Sequence, residues 1–192
     1  NGNANYGTKV TPPIKTYTGF KKPEVQTITI SKIESENVLN YYYEREEYEI
    51  IINPNGGRYN NTTNYTVLNL YYQQQSTLLT PVRSGYDFEN WDKNGGGTIN
   101  DSVYTAGLKG ATLTAKWKAI ESTITFNANG GGTPTFTSKT VKYDSTYGEL
   151  PKVTRDGYTF VGWFTSASGG TQISETAKVE ITSDQILYAQ WT

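Results

Sequence analysis

Along this chain, short stretches alternate between apolar and polar residues, and several of them run out into Asn and Gly. Alternation with a period of two puts successive side chains on opposite faces of a strand. In Leu187-Tyr188-Ala189-Gln190-Trp191, one face carries Leu187, Ala189 and Trp191, and the other Tyr188 and Gln190. Leu113, Ala115 and Trp117 repeat the first face, opposed by Thr114 and Lys116. Each stretch is the pattern of a strand with one face buried and one in water.

A second pattern breaks this rhythm. In Gly157-Tyr158-Thr159-Phe160-Val161-Gly162-Trp163, Tyr158 and Phe160 share a face, but Trp163 falls on the other parity. Gly85-Tyr86-Asp87-Phe88-Glu89-Asn90-Trp91 has the same break. Either both faces are covered, or a bulge at Gly162 re-aims the Trp. Gly inside a strand often marks a bulge, and Asn90 in the equivalent place also tolerates unusual φ.

In chain order these patterns give three parts: residues 1–46, 47–120 and 121–192. The first reads as about three short strands. Thr11-Pro12-Pro13 interrupts pairing, Gln26-Thr27-Ile28-Thr29-Ile30 alternates, Ser31–Asn37 turns, and Val38–Tyr43 is the stronger strand. The run Glu44-Arg45-Glu46-Glu47 is a solvated connector. The second part opens with the strand Tyr48–Ile52, which ends at Asn53-Pro54-Asn55-Gly56-Gly57, where Asn and Gly accept positive φ. A strand over Tyr65–Tyr71, a loop at Gln73-Gln74-Gln75, the heptad from Gly85, a Gly95-Gly96-Gly97 turn and the strand ending at Trp117 follow. The third part repeats this order: Ile124–Asn127, Asn129–Gly132, Lys139–Tyr143, one short helical turn at most over Tyr147–Pro151, the heptad from Gly157, Gly169-Gly170, and the strand ending at Trp191. Asn55 aligns with Asn129, Gly85 with Gly157, Trp91 with Trp163 and Trp117 with Trp191, so the unit recurs. The connector Lys118-Ala119-Ile120-Glu121 is short.

Composition narrows the chemistry. Among 192 residues there is no Cys, Met or His. That excludes His-dependent nucleophilic triads and zinc sites of thiolate or imidazole, and leaves each part to be held by its core rather than by disulfides. Formal net charge is −1 with both signs interspersed, so no basic field draws in nucleic acid. No apolar run reaches the roughly 20 residues of a membrane span. The chain begins at Asn1 with no leader, which reads as a piece cut from a longer, exported protein. No carboxylates are spaced as a catalytic pair or a calcium loop, and the Gly runs match no phosphate-binding loop. The expectation is a non-enzyme with no cofactor and no metal. Tyr86, Phe88, Trp91, Trp117, Tyr158, Phe160, Trp163 and Trp191 are read as core. Tyr41, Tyr42, Tyr59, Tyr71 and Tyr72 are the rings that an extracellular ligand would meet.

The marks Ile124-Thr125-Phe126-Asn127, Asn129-Gly130-Gly131, Gly157–Trp163, Gly169-Gly170-Thr171 and Leu187–Trp191, nearly all present twice, resemble the Listeria–Bacteroides repeat, the B repeat of the internalin surface proteins. The first copy departs from the pattern at Asn90 and between Arg58 and Gln75. The resemblance implies a mainly β chain with at most short helical turns: tandem, small β-grasp-like repeats in an elongated arrangement. It implies a bacterial cell-surface location and a role as stalk, spacer or adhesive repeat. The expected partners, met through exposed Tyr in the alternative reading as a binding module, are host or extracellular glycans or proteins; no nucleic acid, no direct membrane insertion and a monomeric isolated segment are expected. Residues 1–46 are similar to the C-terminal part of a mucin-binding-protein-like repeat, through Gly19-Phe20, Gln26–Ile30 and Asn40–Tyr43. They are expected to be the remainder of a preceding module, too poor in apolar surface to fold alone.

Overall fold

The computed structural model describes residues 4–192, and among these there is no α-helix. Two very short strands come first, β1 (Lys9–Val10) and β2 (Ile28–Thr29), paired antiparallel with Val10 opposite Ile28. The turn expected at Ser31–Asn37 is present and contains a 3-10 turn, Glu34–Glu36. Asn37 closes it, its Oδ1 accepting the Ser31 N–H at 2.7 Å and its Nδ2 donating to the Ser31 carbonyl at 2.9 Å.

The strand expected over Val38–Tyr43 does not form. Side chains hold this segment instead. The Tyr41 hydroxyl lies 3.2 Å from the Pro12 carbonyl and 3.3 Å from that of Gln26, and Tyr43 donates to the Lys15 carbonyl at 2.8 Å. The segment these rings reach contains Pro12 and Pro13, and proline has no N–H with which to build a ladder. No residue from 4 to 46 is fully buried.

The next part contains β3 (Glu47–Asn53), β4 (Thr66–Tyr71), β5 (Gln75–Thr77), β6 (Tyr86–Gly95), β7 (Thr98–Asn100), β8 (Val103–Thr105) and β9 (Ala111–Ala119). Four of these make a sheet in the order β4-β3-β9-β6, with β3 antiparallel to β4 and parallel to β9. The short strands β5, β8 and β7 form a separate sheet, so the predicted Gln73–Gln75 loop runs into a strand. Ile50 and Ile52 on β3 are fully buried, as are Leu113 and Ala115 on β9, as their alternation predicts.

The last part contains β10 (Glu121–Asn127), β11 (Ser138–Lys142), β12 (Phe160–Phe164), β13 (Gln172–Ile173) and β14 (Gln185–Trp191). The sheet order is β11-β10-β14-β12-β13, again with a parallel central pair, β10 and β14. The first four strands of this sheet follow the chain order of the earlier one, so the sequence repeat is a structural repeat. Its core gathers Ile124, Phe126, Val141, Tyr147, Trp163 and Leu187, among others.

The heptad's break in parity is a β-bulge. Phe160 faces Trp191 and Gly162 faces Gln190, so Val161 is the extra residue, and it is exposed. Gly162 has φ +154°, and a Cβ there would run into the Gln172 side chain, which itself donates to the Val161 carbonyl at 3.1 Å. The bulge turns Trp163 inward. In the first copy the break falls at Glu89-Asn90, two successive exposed residues between half-buried Phe88 and Trp91.

The chain folds into two compact units, and their limits do not follow the repeat. One gathers the residues up to Pro54 with Tyr59–Thr80 and Asp92–Thr114. The other gathers Asn55–Arg58, Pro81–Trp91 and Ala115–Thr192.

Candidate functional site

The aromatic residues expected in the core divide by depth. Trp163 is 1% exposed, its Nε1 donates to the Pro151 carbonyl at 2.8 Å, and its ring meets Phe126 edge-on at 4.9 Å. Phe160 is half-buried, 5.7 Å from Trp163 and 5.4 Å from Trp191. The first copy builds the same trio, with half-buried Phe88 at 5.2 Å from Trp91 and 5.8 Å from Trp117. Trp117 and Trp191 each keep a carbonyl partner, Asn55 at 3.0 Å and Ala128 at 3.1 Å. Asn55 and Asn129 tie their turns to the closing strands by donating to the Ala115 and Ala189 carbonyls.

Tyr158 is not a core residue. It is 50% exposed, and the Arg155 guanidinium stacks on it at 3.8 Å. The period-two pattern of the heptad does not extend to it, because Asp156-Gly157 is a turn and β12 begins only at Phe160. Its counterpart Tyr86, half-buried, is stacked by Arg83 at 3.9 Å and meets Tyr143 edge-on at 5.6 Å.

The candidate ligand rings do not form one platform. Tyr59 is only 5% exposed and its hydroxyl accepts the Leu79 N–H at 3.3 Å, so it is closed to a ligand. The strand before it ends in a turn, and the ring folds under the chain rather than outward. Tyr41 is half-buried on its carbonyl partners, and half-buried Tyr72 packs on Gly19 and lies 6.5 Å from Phe20. Tyr42, 79% exposed, and Tyr71, 47% exposed, are the open rings of the five.

A groove of about 790 Å³ runs along the β12–β13 edge, between Leu150, Pro151, Val153, Phe160 and Ile173, with Trp163 at its floor. Its charged lining is Lys152 and Glu175, and Glu175 Oε1 accepts the Leu150 N–H at 3.4 Å. No pair of carboxylates lines it at the spacing that a glycoside-hydrolysing pair uses. The lining is otherwise mostly apolar. Among the described residues no three acidic side chains converge as metal ligands.

A cluster of charged and polar side chains lies on the surface. Asp144 Oδ1 lies 2.7 Å from Lys178 Nζ, and Asp144 Oδ2 lies 3.4 Å from the Tyr86 hydroxyl. The Lys178 hydrogen bond and charge hold the Asp144 carboxyl below its ordinary pKa, with Tyr86 and Arg83 adding to the effect, and Asp144 in turn raises that of Lys178. Burial pushes the Tyr104 and Tyr147 hydroxyls upward.

Two mixed sheets with one strand order, each closed by a Trp-bearing strand, define an all-β tandem-repeat protein. Residues 48–116 and 123–190 both match the Listeria-Bacteroides repeat domain, and the chain belongs to that family. It is 33% identical over 114 residues to Internalin H of Listeria monocytogenes serovar 1/2a, covering 58% of this chain and 20% of that protein. A putative Gly-rich membrane protein of Evansella cellulosilytica is 25% identical over 98% of this chain and 22% of its own length. A putative membrane protein of the same organism is also 25% identical, over 98% of this chain and 30% of its own length. The chain thus spans less than a third of each of these relatives.

Proposed function

We propose that this chain is a non-catalytic segment of a bacterial cell-surface protein and serves as a stalk or spacer that carries other parts of the protein outward. The observation that supports the reading is that the five tyrosines expected to meet a ligand are not all exposed. Of the five candidate ligand tyrosines, Tyr59 is buried and Tyr41 and Tyr72 are spent on internal contacts, which leaves Tyr42 and Tyr71 open. A glycan-binding surface stacks sugars on flat exposed rings, and three of these five are not free to do so. Kinship with Internalin H and with putative membrane proteins supports a surface location. The mixed sheet with a parallel central pair supports a β-grasp type of module, here without a helix.

The second reading, an adhesive repeat that itself holds a host glycan or protein, draws on Tyr42 and Tyr71. A glycan array and a panel of extracellular matrix proteins probed with the 192-residue chain separate the two. The spacer reading expects no binding above background. Saturable binding lost in Tyr42→Ala or Tyr71→Ala would replace it with the adhesive one.

A further inference from the structure

One local structure occurs three times. Tyr17-Thr18-Gly19-Phe20, Arg83-Ser84-Gly85-Tyr86 and Arg155-Asp156-Gly157-Tyr158 are the same turn. In each, the aromatic N–H donates back three residues, to the carbonyl of Tyr17, Arg83 or Arg155, at 3.2, 3.2 and 3.1 Å. In each, the Gly sits at positive φ, +81°, +77° and +77°.

The first two turns are filled in the same way. The Gly19 carbonyl accepts the Glu46 N–H at 2.8 Å, and the Glu46 carbonyl accepts the Tyr72 N–H at 2.8 Å. The Gly85 carbonyl accepts the Ile120 N–H at 3.0 Å, and the Ile120 carbonyl accepts the Tyr143 N–H at 2.9 Å. The Tyr72 ring lies over Gly19 and the Tyr143 ring over Gly85, each so close that a Cβ on the glycine would strike it. Tyr72 and Tyr143 hold the same place, just past the second strand of their repeats, each followed by a residue at positive φ, Gln73 at +61° and Asp144 at +63°. The second turn adds a charged contact, with Asp144 reaching the Tyr86 hydroxyl beside the Arg83 guanidinium. The third turn presents the same Gly and aromatic ring to solvent: nothing lies within 4 Å of a Cβ on Gly157, and Tyr158 is 50% exposed.

We propose that the Gly157-Tyr158 turn is a docking socket for the Tyr at the end of the second strand of a further repeat joined after Trp191. The connector of that repeat would donate to the Gly157 carbonyl, its Tyr would cover Gly157, and an acidic residue after that Tyr would meet Tyr158 and Arg155. The rule for stacking these repeats is therefore local: a Gly-aromatic turn on one, a Tyr on the next, and a connector short enough to hydrogen-bond both. The socket does not depend on whether the segment is a spacer or an adhesive repeat.

The test lengthens the full chain. Residues 118–192 are appended after Trp191 in place of Thr192, so that Trp191 leads into the same Lys-Ala-Ile-Glu as Trp117. Hydrogen exchange followed by NMR should show the connector Ile amide exchanging at least about tenfold more slowly than in an open peptide. The Tyr158 ring signals should shift, and Tyr158→Ala should abolish the amide's protection. An appended repeat whose own strands are protected, but whose connector amide exchanges freely while Tyr158 keeps its parent shifts, overturns the socket and leaves the spacer reading intact. Should that copy not fold, a second extension carrying residues 44–120 brings Tyr72 to the same turn. Failure of both to fold on an otherwise folded chain counts equally against the proposal, because docking is what should support them.

Discussion

At the scale of single residues, burial rather than residue type decides what a substitution does. Trp163 and Tyr158 are both aromatic members of one heptad, yet one is 1% and the other 50% exposed. Trp163→Ala opens a cavity beside Phe126 and leaves the Pro151 carbonyl without its donor. It should cost roughly 3–5 kcal/mol in urea unfolding, enough to unfold a marginal domain. A variant with wild-type stability would show that Trp163 is not a packing residue. Asp144 gives a different kind of prediction. A carboxyl whose folded pKa is lowered adds stability that is complete above its unfolded value and is lost as pH falls through the folded one. The contribution of Asp144 therefore fades only in acid, below its ordinary pKa of 3.8. Lys178, raised above its ordinary 10.5, contributes below that value and loses the contribution as pH climbs through its folded pKa. Because the pair is exposed, its weight in overall stability is small. An NMR titration should find the Asp144 carboxyl titrating below its ordinary value of 3.8, and Lys178→Gln should move it up. No movement would mean that the pair does not form in solution.

At the scale of elements, the strands that were legible in the sequence are those with a period of two, two of them running out into Asn and Gly. Tyr48–Ile52, Ile124–Asn127 and Leu187–Trp191 all lie in strands, and the parity break before Trp163 located the bulge at Gly162. The short strands β5, β7, β8 and β13 were not legible, because two or three residues carry no period to read. Val38–Tyr43 misled for the opposite reason: it has the composition of a strand, but its rings reach carbonyls of a proline-bearing segment instead of a ladder. The open Tyr158 was misplaced by extending the strand's parity into a turn. The Gly-aromatic turns were spelled out three times, and their alignment in the sequence was the signal that could have found them. These facts set an expectation for residues 1–46. With no fully buried residue from 4 to 46 and strands of only two residues, the described part of the segment lacks a core of its own. In an isolated 1–46 peptide the amides of Gln26–Ile30 should exchange at open-chain rates, whereas in the full chain the Ile30 N–H, held by the Thr8 carbonyl at 2.9 Å, should be slowed. Slow exchange in the isolated peptide would establish an autonomous domain.

At the scale of the whole molecule, sequence repeats and compact units disagree, and the disagreement has a physical content. The family match ends its first copy at residue 116, but Pro81–Trp91 and the end of β9 belong to the same compact unit as the second copy. Tyr86 meets Tyr143 and Asp144, Gly85 lies under the Tyr143 ring, and Ile120 is hydrogen-bonded on both sides, to Gly85 and to Tyr143. An edge-to-face aromatic pair adds about 0.5–1.5 kcal/mol beyond the area it buries. The end of the first copy therefore borrows stability from the second. A chain cut after Ile120 should keep the protection of Ile50–Ile52, whose partners on β4 and β9 are retained. It should lose protection at the Ile120 amide, whose carbonyl no longer holds the Tyr143 N–H, and at Tyr86, whose ring then faces water, while Phe88 keeps Trp91 and Trp117. Within the intact chain, a double-mutant cycle on Tyr86→Ala and Tyr143→Ala should give a coupling in the same range. A cut chain in which the Tyr86 and Ile120 amides exchange as slowly as before would mean that each copy stands alone and that the contacts between Tyr86 and Tyr143 stabilise neither, so cooperativity would follow the sequence repeat and not the compact units.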